Sequence, residues 1–228
     1  MFPRYLYVSD NFGTEKTDAI SDFGLKHFQE AYGSAGAGIT KDDVFYYVYG
    51  ILHSPDYLAR YANNLAKELP RIPRVASYQD FRAFADAGRK LADLHVNYEK
   101  QPEYPGVTIT GEDSRNYTVT KMQWAKIPGK KGNDAKDKTK LLFNSAITVS
   151  NIPLEAQEYA VNRKSALDWV VEKAEIDKEN GIVNDFNKFA NDPRYPLALF
   201  LKVITVSMET VKIVKALPPL KIHPLDKE

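Results

Sequence analysis

The segment TKDDVFYYVYGILHSP, residues 40–55, decides how the first half of the chain folds. Thr40 followed by Asp43 forms a capping box, so we predict that a helix begins there. Ser54-Pro55 combines an N-cap residue with a proline at the first helical position, which predicts a second helix. Between these signals the apolar residues recur at helical spacing: Val44, Val48, Ile51 and Leu52.

Helical patterns also lie on both sides of this segment. An amphipathic stretch predicts a helix over residues 18–32, and a glycine-rich loop follows at residues 33–38. The helix that begins at Ser54 is predicted to run as far as Pro70, because proline stops a helix. Ser77 is the predicted N-cap of another helix, whose apolar face extends to His95.

Beyond residue 98 the pattern changes to strands. Three segments rich in β-branched and aromatic residues predict a small antiparallel sheet: 104–110, 117–124 and 141–149. Helical spacing returns at residues 165–178, and we predict that this helix ends near Asn180-Gly181. A last element runs from Pro196 to Leu217. Propensity alone permits a strand there, but the length and the flanking prolines favour a helix.

These patterns predict an α+β protein. A mainly helical N-terminal half, residues 1–98, is expected to pack with a small antiparallel sheet and further helices in residues 99–228. We expect the 228 residues to form one domain. Hydrophobic residues make up 43% and charged residues 27% of the chain, which is typical of a soluble globular protein.

Composition also excludes several classes of site. The chain has no cysteine, so it has no disulfide, thiol nucleophile or zinc site built on thiolates. The first residues lack the apolar core of a signal peptide, and the longest apolar stretch is too short to span a bilayer. We therefore expect a cytoplasmic protein that is not bound to a membrane.

Motifs for catalysis are incomplete. Gly33 and Gly38 have the spacing of a phosphate-binding loop, but Ile39 stands where the lysine is required. The segment 191–195 resembles a methyltransferase tetrapeptide, but Arg194 replaces its second proline. The strand-like segments lack the Glu-x-Lys set of a metal-dependent nuclease. The four histidines show no ligand spacing. We therefore predict no catalytic residue, metal site or cofactor in this chain.

Positive charge is concentrated in residues 121–140. Seven lysines and two aspartates give this segment a local charge of +5, whereas the whole chain has a net charge of +1. A basic hairpin can follow the phosphates of a nucleic acid, while an ordinary solvated loop is the alternative. The residues of this segment that we predict to bind DNA are Lys121, Trp124, Lys126, Lys130, Lys131, Lys138 and Lys140.

Two smaller clusters add candidates. Asn162, Arg163, Lys164 and Ser165 stand at the start of a predicted helix, where free backbone N–H groups favour phosphate. A contact between Arg163 and a guanine edge is a second interpretation, and a plain capping turn is a third. Arg71 and Arg74, on a proline-rich connector, are the third cluster.

Several ordered motifs resemble the C-terminal specificity region of Type ISP restriction–modification enzymes. The longest lies in residues 43–57 and continues through 60–65 and 68–73. The others keep the same order along the chain: 87–95, 152–156, 162–169, 181–185 and 203–210. One position departs from the family pattern, because Arg163 stands where glycine is expected.

This resemblance implies a part of one long polypeptide. In that family a nuclease, a translocating ATPase, an adenine methyltransferase and a target-recognition domain share one chain. The cofactors S-adenosylmethionine, ATP and Mg²⁺ are expected in the domains outside this sequence. The implied partners are double-stranded DNA and the methyltransferase and helicase domains of the same polypeptide.

The leading hypothesis is that this chain recognises a DNA sequence for an enzyme that methylates adenine and cleaves unmodified DNA. The chain by itself is not expected to be an enzyme. The alternative is a docking module that couples the methyltransferase to the helicase, with little base recognition of its own.

Overall fold

The chain divides into two units. The computed structural model describes residues 3–10, 13–179 and 182–226. The helical unit comprises Met1–Asp93 and Ile213–Glu228, and the sheet unit comprises Leu94–Lys212. Helices and antiparallel sheets are both present, which confirms the predicted α+β class. No helix in the described part of the chain is both long and apolar enough to cross a membrane.

The helical unit begins with an antiparallel hairpin. Its strands are β1 (Tyr5–Asp10) and β2 (Gly13–Asp18). The helices that follow are α1 (Asp22–Ala31), α2 (Gly33–Gly36), α3 (Lys41–Leu52), α4 (Pro55–Arg60), α5 (Ala62–Leu65) and α6 (Tyr78–Val96).

The predicted helix starts after residue 40 are confirmed. Thr40 and Asp43 form the capping box, with the Thr40 N–H donating to the Asp43 carboxylate at 3.0 Å. The Ser54 hydroxyl accepts from the Tyr57 N–H at 3.4 Å. The Ser77 hydroxyl accepts from the Asp80 N–H at 3.0 Å. Each cap satisfies a backbone donor that the first helical turn leaves unpaired.

Three predictions for this unit were wrong in detail. The first helix begins at Asp22 instead of Asp18, because residues 13–18 pair with β1 and Ser21 is the N-cap. The glycine-rich segment 33–38 contains the single turn α2. The helix from Ser54 breaks at Tyr61, whose φ of −108° and ψ of 19° leave the helical region. The helix resumes as α5, which contains Asn63 and Asn64 and is only four residues long, in keeping with the low helix propensity of asparagine.

Aromatic residues form the core of the helical unit. Tyr47, Tyr57, Phe81 and Phe84 are fully buried. The Tyr57 hydroxyl donates to the carbonyl of Arg71 at 2.9 Å, and the Tyr47 hydroxyl donates to the carbonyl of Pro73 at 2.6 Å. These bonds supply partners for buried phenols and hold the proline-rich connector against the core.

Two glycines let α3 and α6 pack at backbone contact. A Cβ added at Gly88 would lie 1.9 Å from the carbonyl oxygen of Tyr46. A Cβ added at Gly50 would lie 2.2 Å from the carbonyl oxygen of Phe84. Since backbone atoms form both contacts, neither clash can be relieved by a side-chain rotation.

The substitution Gly88→Ala should therefore destabilise the protein by about 1–3 kcal/mol, the usual cost of overpacking a core. Helix propensity by itself would stabilise the variant by about 1 kcal/mol. Urea denaturation of the variant and the wild type measures the difference in their free energies of unfolding. Gly24→Ala in α1 is the matched control, because its added Cβ would meet only ordinary contacts at 3.4 Å and beyond. Equal stability of the two variants would contradict the close packing of α3 and α6.

The sheet unit contains a four-stranded antiparallel sheet in the order β3-β6-β5-β4. Its strands are β3 (Thr108–Thr110), β4 (Gln123–Lys126), β5 (Lys136–Leu142) and β6 (Thr148–Ser150). The remaining elements are β7 (Ala160–Val161), β8 (Lys164–Ser165), α7 (Ala166–Lys173), β9 (Ile176–Glu179), β10 (Ile182–Asp185) and α8 (Tyr195–Lys215).

The predicted strand regions are present, but their bounds differ. The segments 104–110 and 117–124 contribute only their last residues to β3 and β4. The segment 141–149 is two strands, because the Asn144 side chain accepts from the backbone N–H groups of Ala146 and Ile147 and closes a turn.

The helix predicted over residues 165–178 is shorter than expected. α7 ends at Lys173, and Ile176–Glu179 instead pairs with β10. The predicted end at Asn180-Gly181 lies outside the described residues. The last predicted helix is confirmed as α8, which begins at Tyr195 and ends at Lys215. Most of its residues from Pro196 to Val211 are buried, which explains its apolar sequence.

Candidate nucleic-acid interface

The basic segment forms a hairpin that we call the basic hairpin, residues 121–140. Its two strands are β4 and β5, and residues 127–135 connect them. The Ile127 N–H donates to the carbonyl of Ala135 at 2.7 Å, which closes the connection. Gly129 and Gly132 have φ of 78° and 67°, a region that favours glycine. The loop therefore has a defined backbone path despite its glycine content.

A second, short hairpin lies in the same unit. Its strands are β7 and β8, and Asn162 and Arg163 are the two residues of its turn. Their φ angles are 53° and 65°, so the turn is of type I′. This turn favours Asn-Gly, which explains why glycine is expected at position 163. A left-handed arginine costs about 1–2 kcal/mol relative to an unstrained residue.

Helix α7 holds the short hairpin in place. The Trp169 indole N–H donates to the carbonyl of Val161 at 3.0 Å. The Lys164 ammonium lies over the Trp169 ring at 4.3 Å and pairs with Glu172. The bond with Lys164 lowers the pKa of Glu172. Ser165 is buried. Its hydroxyl group donates a hydrogen bond to the Gln157 side chain at 2.8 Å and caps α7 by accepting one from the backbone N–H of Asp168.

Asp168 connects α7 to the basic hairpin. Its carboxylate accepts from the indole N–H of Trp124 at 2.7 Å and from the ammonium group of Lys138. The Lys138 nitrogen also lies 4.7 Å from the centre of the Trp124 ring. Burial alone raises the pKa of Asp168, but the bonds from Lys138 and Trp124 outweigh burial and leave the pKa lowered. Trp124 itself is 7% exposed and packs edge-on against Phe200.

The two hairpins and α7 enclose a groove of about 820 Å³, which we call the basic groove. Candidates that are separate in sequence meet there, since Lys126 and Lys138 line it together with Arg163 and Lys164. Lys136, which was not among the predicted DNA-binding residues, also lines the groove. The full set of charged lining residues is Lys121, Lys126, Lys136, Lys138, Arg163, Lys164, Asp168, Glu172 and Glu175.

The cationic candidates near the groove form two classes. Lys121, Lys138 and Lys164 each pair with a carboxylate, and the Lys121 pair with Glu175 is 2.6 Å long. The others have no hydrogen bond or ion pair from their side chains to any described residue: Lys126, Lys130, Lys131, Lys140 and Arg163. These five side chains can approach an anion without first breaking an internal pair.

Sequence reasoning missed the acidic members of the groove. Asp168 and Glu172 are one helical turn apart, so the predicted helix could have placed them on one face. Their partners could not be identified, because Lys138 and Trp124 lie 30 and 44 residues away from Asp168.

Arg71 and Arg74 belong to the helical unit. The Arg71 side chain is 86% exposed and lies 3.4 Å from Glu68. Arg74 is buried and binds both carboxylate oxygens of Asp226, at 2.9 and 2.6 Å. No group of three or more His, Asp or Glu side chains that could hold a metal ion occurs in the described residues.

Replacing Asp168 by asparagine should destabilise the protein by about 1–3 kcal/mol at pH 7, because the charged bond to Lys138 is lost while the indole keeps an acceptor. The pKa of Asp168 is lowered in the folded state. Its stabilising contribution is therefore complete above the ordinary carboxyl pKa of about 3.9 and is lost as the pH falls through the lowered value.

Urea denaturation of the Asp168→Asn variant and the wild type between pH 7 and pH 2.5 measures this effect. The difference in stability should shrink below about pH 4. Asp113→Asn, at an exposed aspartate in a surface turn of the same unit, is the control and should change stability little. A pH-independent difference for Asp168→Asn would contradict the charged bond.

A profile of the Type ISP C-terminal specificity domain matches residues 1–199. Solved structures of three larger proteins are similar over nearly the whole chain. One is the ATP-dependent Type ISP restriction–modification enzyme LlaBIII bound to DNA, with 36% identity and a TM-score of 0.81 over 97% of this chain and 14% of that chain.

The second is a nuclease-deletion mutant of the Type ISP enzyme LlaGI in complex with a DNA substrate mimic, with 38% identity and a TM-score of 0.75, covering 97% of this chain and 18% of that chain. The third is a DrdV–DNA complex, with 30% identity and a TM-score of 0.76, covering 96% of this chain and 21% of that chain. No curated protein sequence matches the chain. The profile match, over most of the chain, shows that it belongs to the family of Type ISP C-terminal specificity domains.

Proposed function

We propose that this chain recognises a specific sequence in double-stranded DNA as the specificity domain of a longer Type ISP restriction–modification polypeptide. The observation that supports this most directly is the basic groove, where two sequence-distant basic segments meet on one face of α7. The family membership agrees with it, and the similar structures of LlaBIII, LlaGI and DrdV are described as bound to DNA or to a DNA substrate mimic.

The unpaired lysines of the basic hairpin give this surface its affinity for phosphate. Each lysine that neutralises a phosphate releases condensed counterions, so binding becomes stronger as the salt concentration falls. Lys126, Lys130 and Lys131 are exposed and lie at or beyond the end of β4, where the basic hairpin turns. We assign them, together with Lys140, to contacts with the DNA backbone.

The paired residues have a different role in this proposal. Lys138 and Lys164 are bound by carboxylates of α7, and Trp124 and Ser165 are buried with their polar groups satisfied. They hold the two hairpins at fixed positions instead of contacting bases. Arg74 holds Asp226 in the helical unit in the same way.

The remaining activities are proposed for other parts of the polypeptide. The chain spans 14–21% of the length of the solved chains that it matches. We propose that those parts methylate adenine with S-adenosylmethionine and use ATP and Mg²⁺ to translocate on and cleave unmodified DNA. The incomplete phosphate-loop and methyltransferase motifs in this chain support that division. We expect the whole protein to act in the bacterial cytoplasm.

The triple variant Lys126→Ala/Lys130→Ala/Lys131→Ala should weaken DNA binding by the full-length polypeptide. The slope of log K against log salt concentration should become less steep by about 0.9 for each phosphate that the variant no longer neutralises. Binding to a 40-base-pair duplex, measured by fluorescence anisotropy between 50 and 200 mM salt, gives both quantities. Circular dichroism checks that the variant is folded.

The control removes the same charge elsewhere, at the exposed lysines Lys67, Lys90 and Lys100. Its salt dependence should equal that of the wild type. If the triple variant of the basic hairpin binds DNA with unchanged affinity and yet abolishes methylation in cells, the chain is a docking module between the methyltransferase and helicase domains.

A further inference from the structure

The turn of the short hairpin contains a residue that its backbone disfavours. Arg163 occupies the second position of a type I′ turn, with φ of 65°, where glycine would adopt the same conformation without strain. Nothing in the pairing of β7 with β8 requires a side chain there. Non-glycine residues that persist in left-handed conformations are concentrated at functional sites.

The guanidinium group of Arg163 is available for binding. The residue is exposed and lines the basic groove, and its side chain has no hydrogen bond or ion pair within the part of the chain that the structure describes. Its neighbour Lys164 differs, because Lys164 pairs with Glu172. Of these two adjacent cations, only Arg163 can therefore reach a ligand without giving up an internal partner.

The backbone that presents Arg163 is held firmly. Trp169 binds the carbonyl of Val161 on one side of the turn, and Glu172 binds Lys164 on the other. Both anchors lie on α7, which the Asp168 bonds attach to the sheet. A residue that recognises a base needs such support, because a displacement of about 1 Å is enough to lose directional hydrogen bonds.

The shape and chemistry of the turn match the major groove of DNA. A two-stranded ribbon fits a groove that is about 12 Å wide. Arginine presents two parallel N–H donors that match the O6 and N7 acceptors of guanine, and this is the commonest specific base contact. A lysine offers only a point charge, without that fork. Lys126, an unpaired lysine of the basic hairpin that lines the same groove, is suited to hold the adjacent DNA backbone.

We propose that Arg163 is a specificity-determining residue that recognises one guanine of the target through its O6 and N7 atoms. This inference rests on the proposed DNA-binding function of the basic groove. It goes further by naming the residue that recognises a base, the base that it recognises, and the major groove of the DNA as the place of contact.

Selection from a random duplex library by the full-length polypeptide tests the proposal, because the target sequence need not be known in advance. Wild type should enrich one motif. Arg163→Gly should enrich the same motif with one G·C position relaxed to several bases. Its affinity for the wild-type motif should fall about 5- to 150-fold, the value of a bidentate base contact. Arg163→Lys should relax the same position, because it keeps the charge but lacks the fork.

Arg115 provides a matched control. It is also an exposed arginine in the left-handed region, with φ of 50°, and it lies in a turn of the same unit outside the basic groove. Arg115→Gly should enrich the unaltered motif. Arg163→Gly removes backbone strain, so its urea denaturation midpoint should not fall below that of the wild type.

The contact between Arg163 and N7 is tested by replacing the guanine at the relaxed position with 7-deazaguanine, which lacks N7. Wild type should lose affinity for this duplex, and Arg163→Gly should bind the modified and unmodified duplexes equally. Loss of binding to all duplexes, together with a reduced salt slope, would identify Arg163 as a phosphate contact and overturn the proposal.

Two outcomes separate this proposal from the function on which it rests. An unaltered motif with Arg163→Gly, alongside weaker binding by the triple lysine variant, overturns the role of Arg163 alone. Failure of the wild-type polypeptide to enrich any motif, with no effect of the triple lysine variant, overturns both.

Discussion

The Asp168 carboxylate is the interaction on which the geometry of the basic groove depends. It accepts hydrogen bonds from Trp124 and Lys138 and thereby attaches the basic hairpin to α7. Because Trp124 is almost fully buried, loss of this acceptor would leave an indole N–H unsatisfied. Glu172, one helical turn later, binds Lys164 of the short hairpin. Two carboxylates on one helix therefore position both hairpins.

The positively charged side chains near the groove have two roles, depending on whether they pair with a carboxylate. Lysines that bind carboxylates lose much of their attraction for phosphate, but they fix the backbone on which the unpaired cations stand. The unpaired cations of the lysine-rich segment 121–140 concentrate positive charge at one surface of a chain whose net charge is only +1. The same principle applies in the helical unit, where Arg74 binds Asp226 and supports the connector instead of facing solvent.

Helix starts could be predicted because their signals are local. Thr40, Ser54 and Ser77 each satisfy a backbone N–H three residues later, so neighbouring residues contain all the necessary information. The α+β class followed from the change in hydrophobic period after residue 98. The hairpin of β1 and β2 was missed, since its strands stabilise each other only by pairing.

The sequence by itself therefore determined the fold class, the helix starts, the location of the basic segment and the family resemblance. Only the tertiary structure decided which cations are paired, because those partners lie up to 152 residues apart, as for Arg74 and Asp226. It also revealed the left-handed turn at Arg163 and the burial of Trp124. Local sequence patterns indicate secondary-structure propensity and charge. Ion pairing and side-chain burial depend instead on contacts between distant segments, which form only when the chain folds.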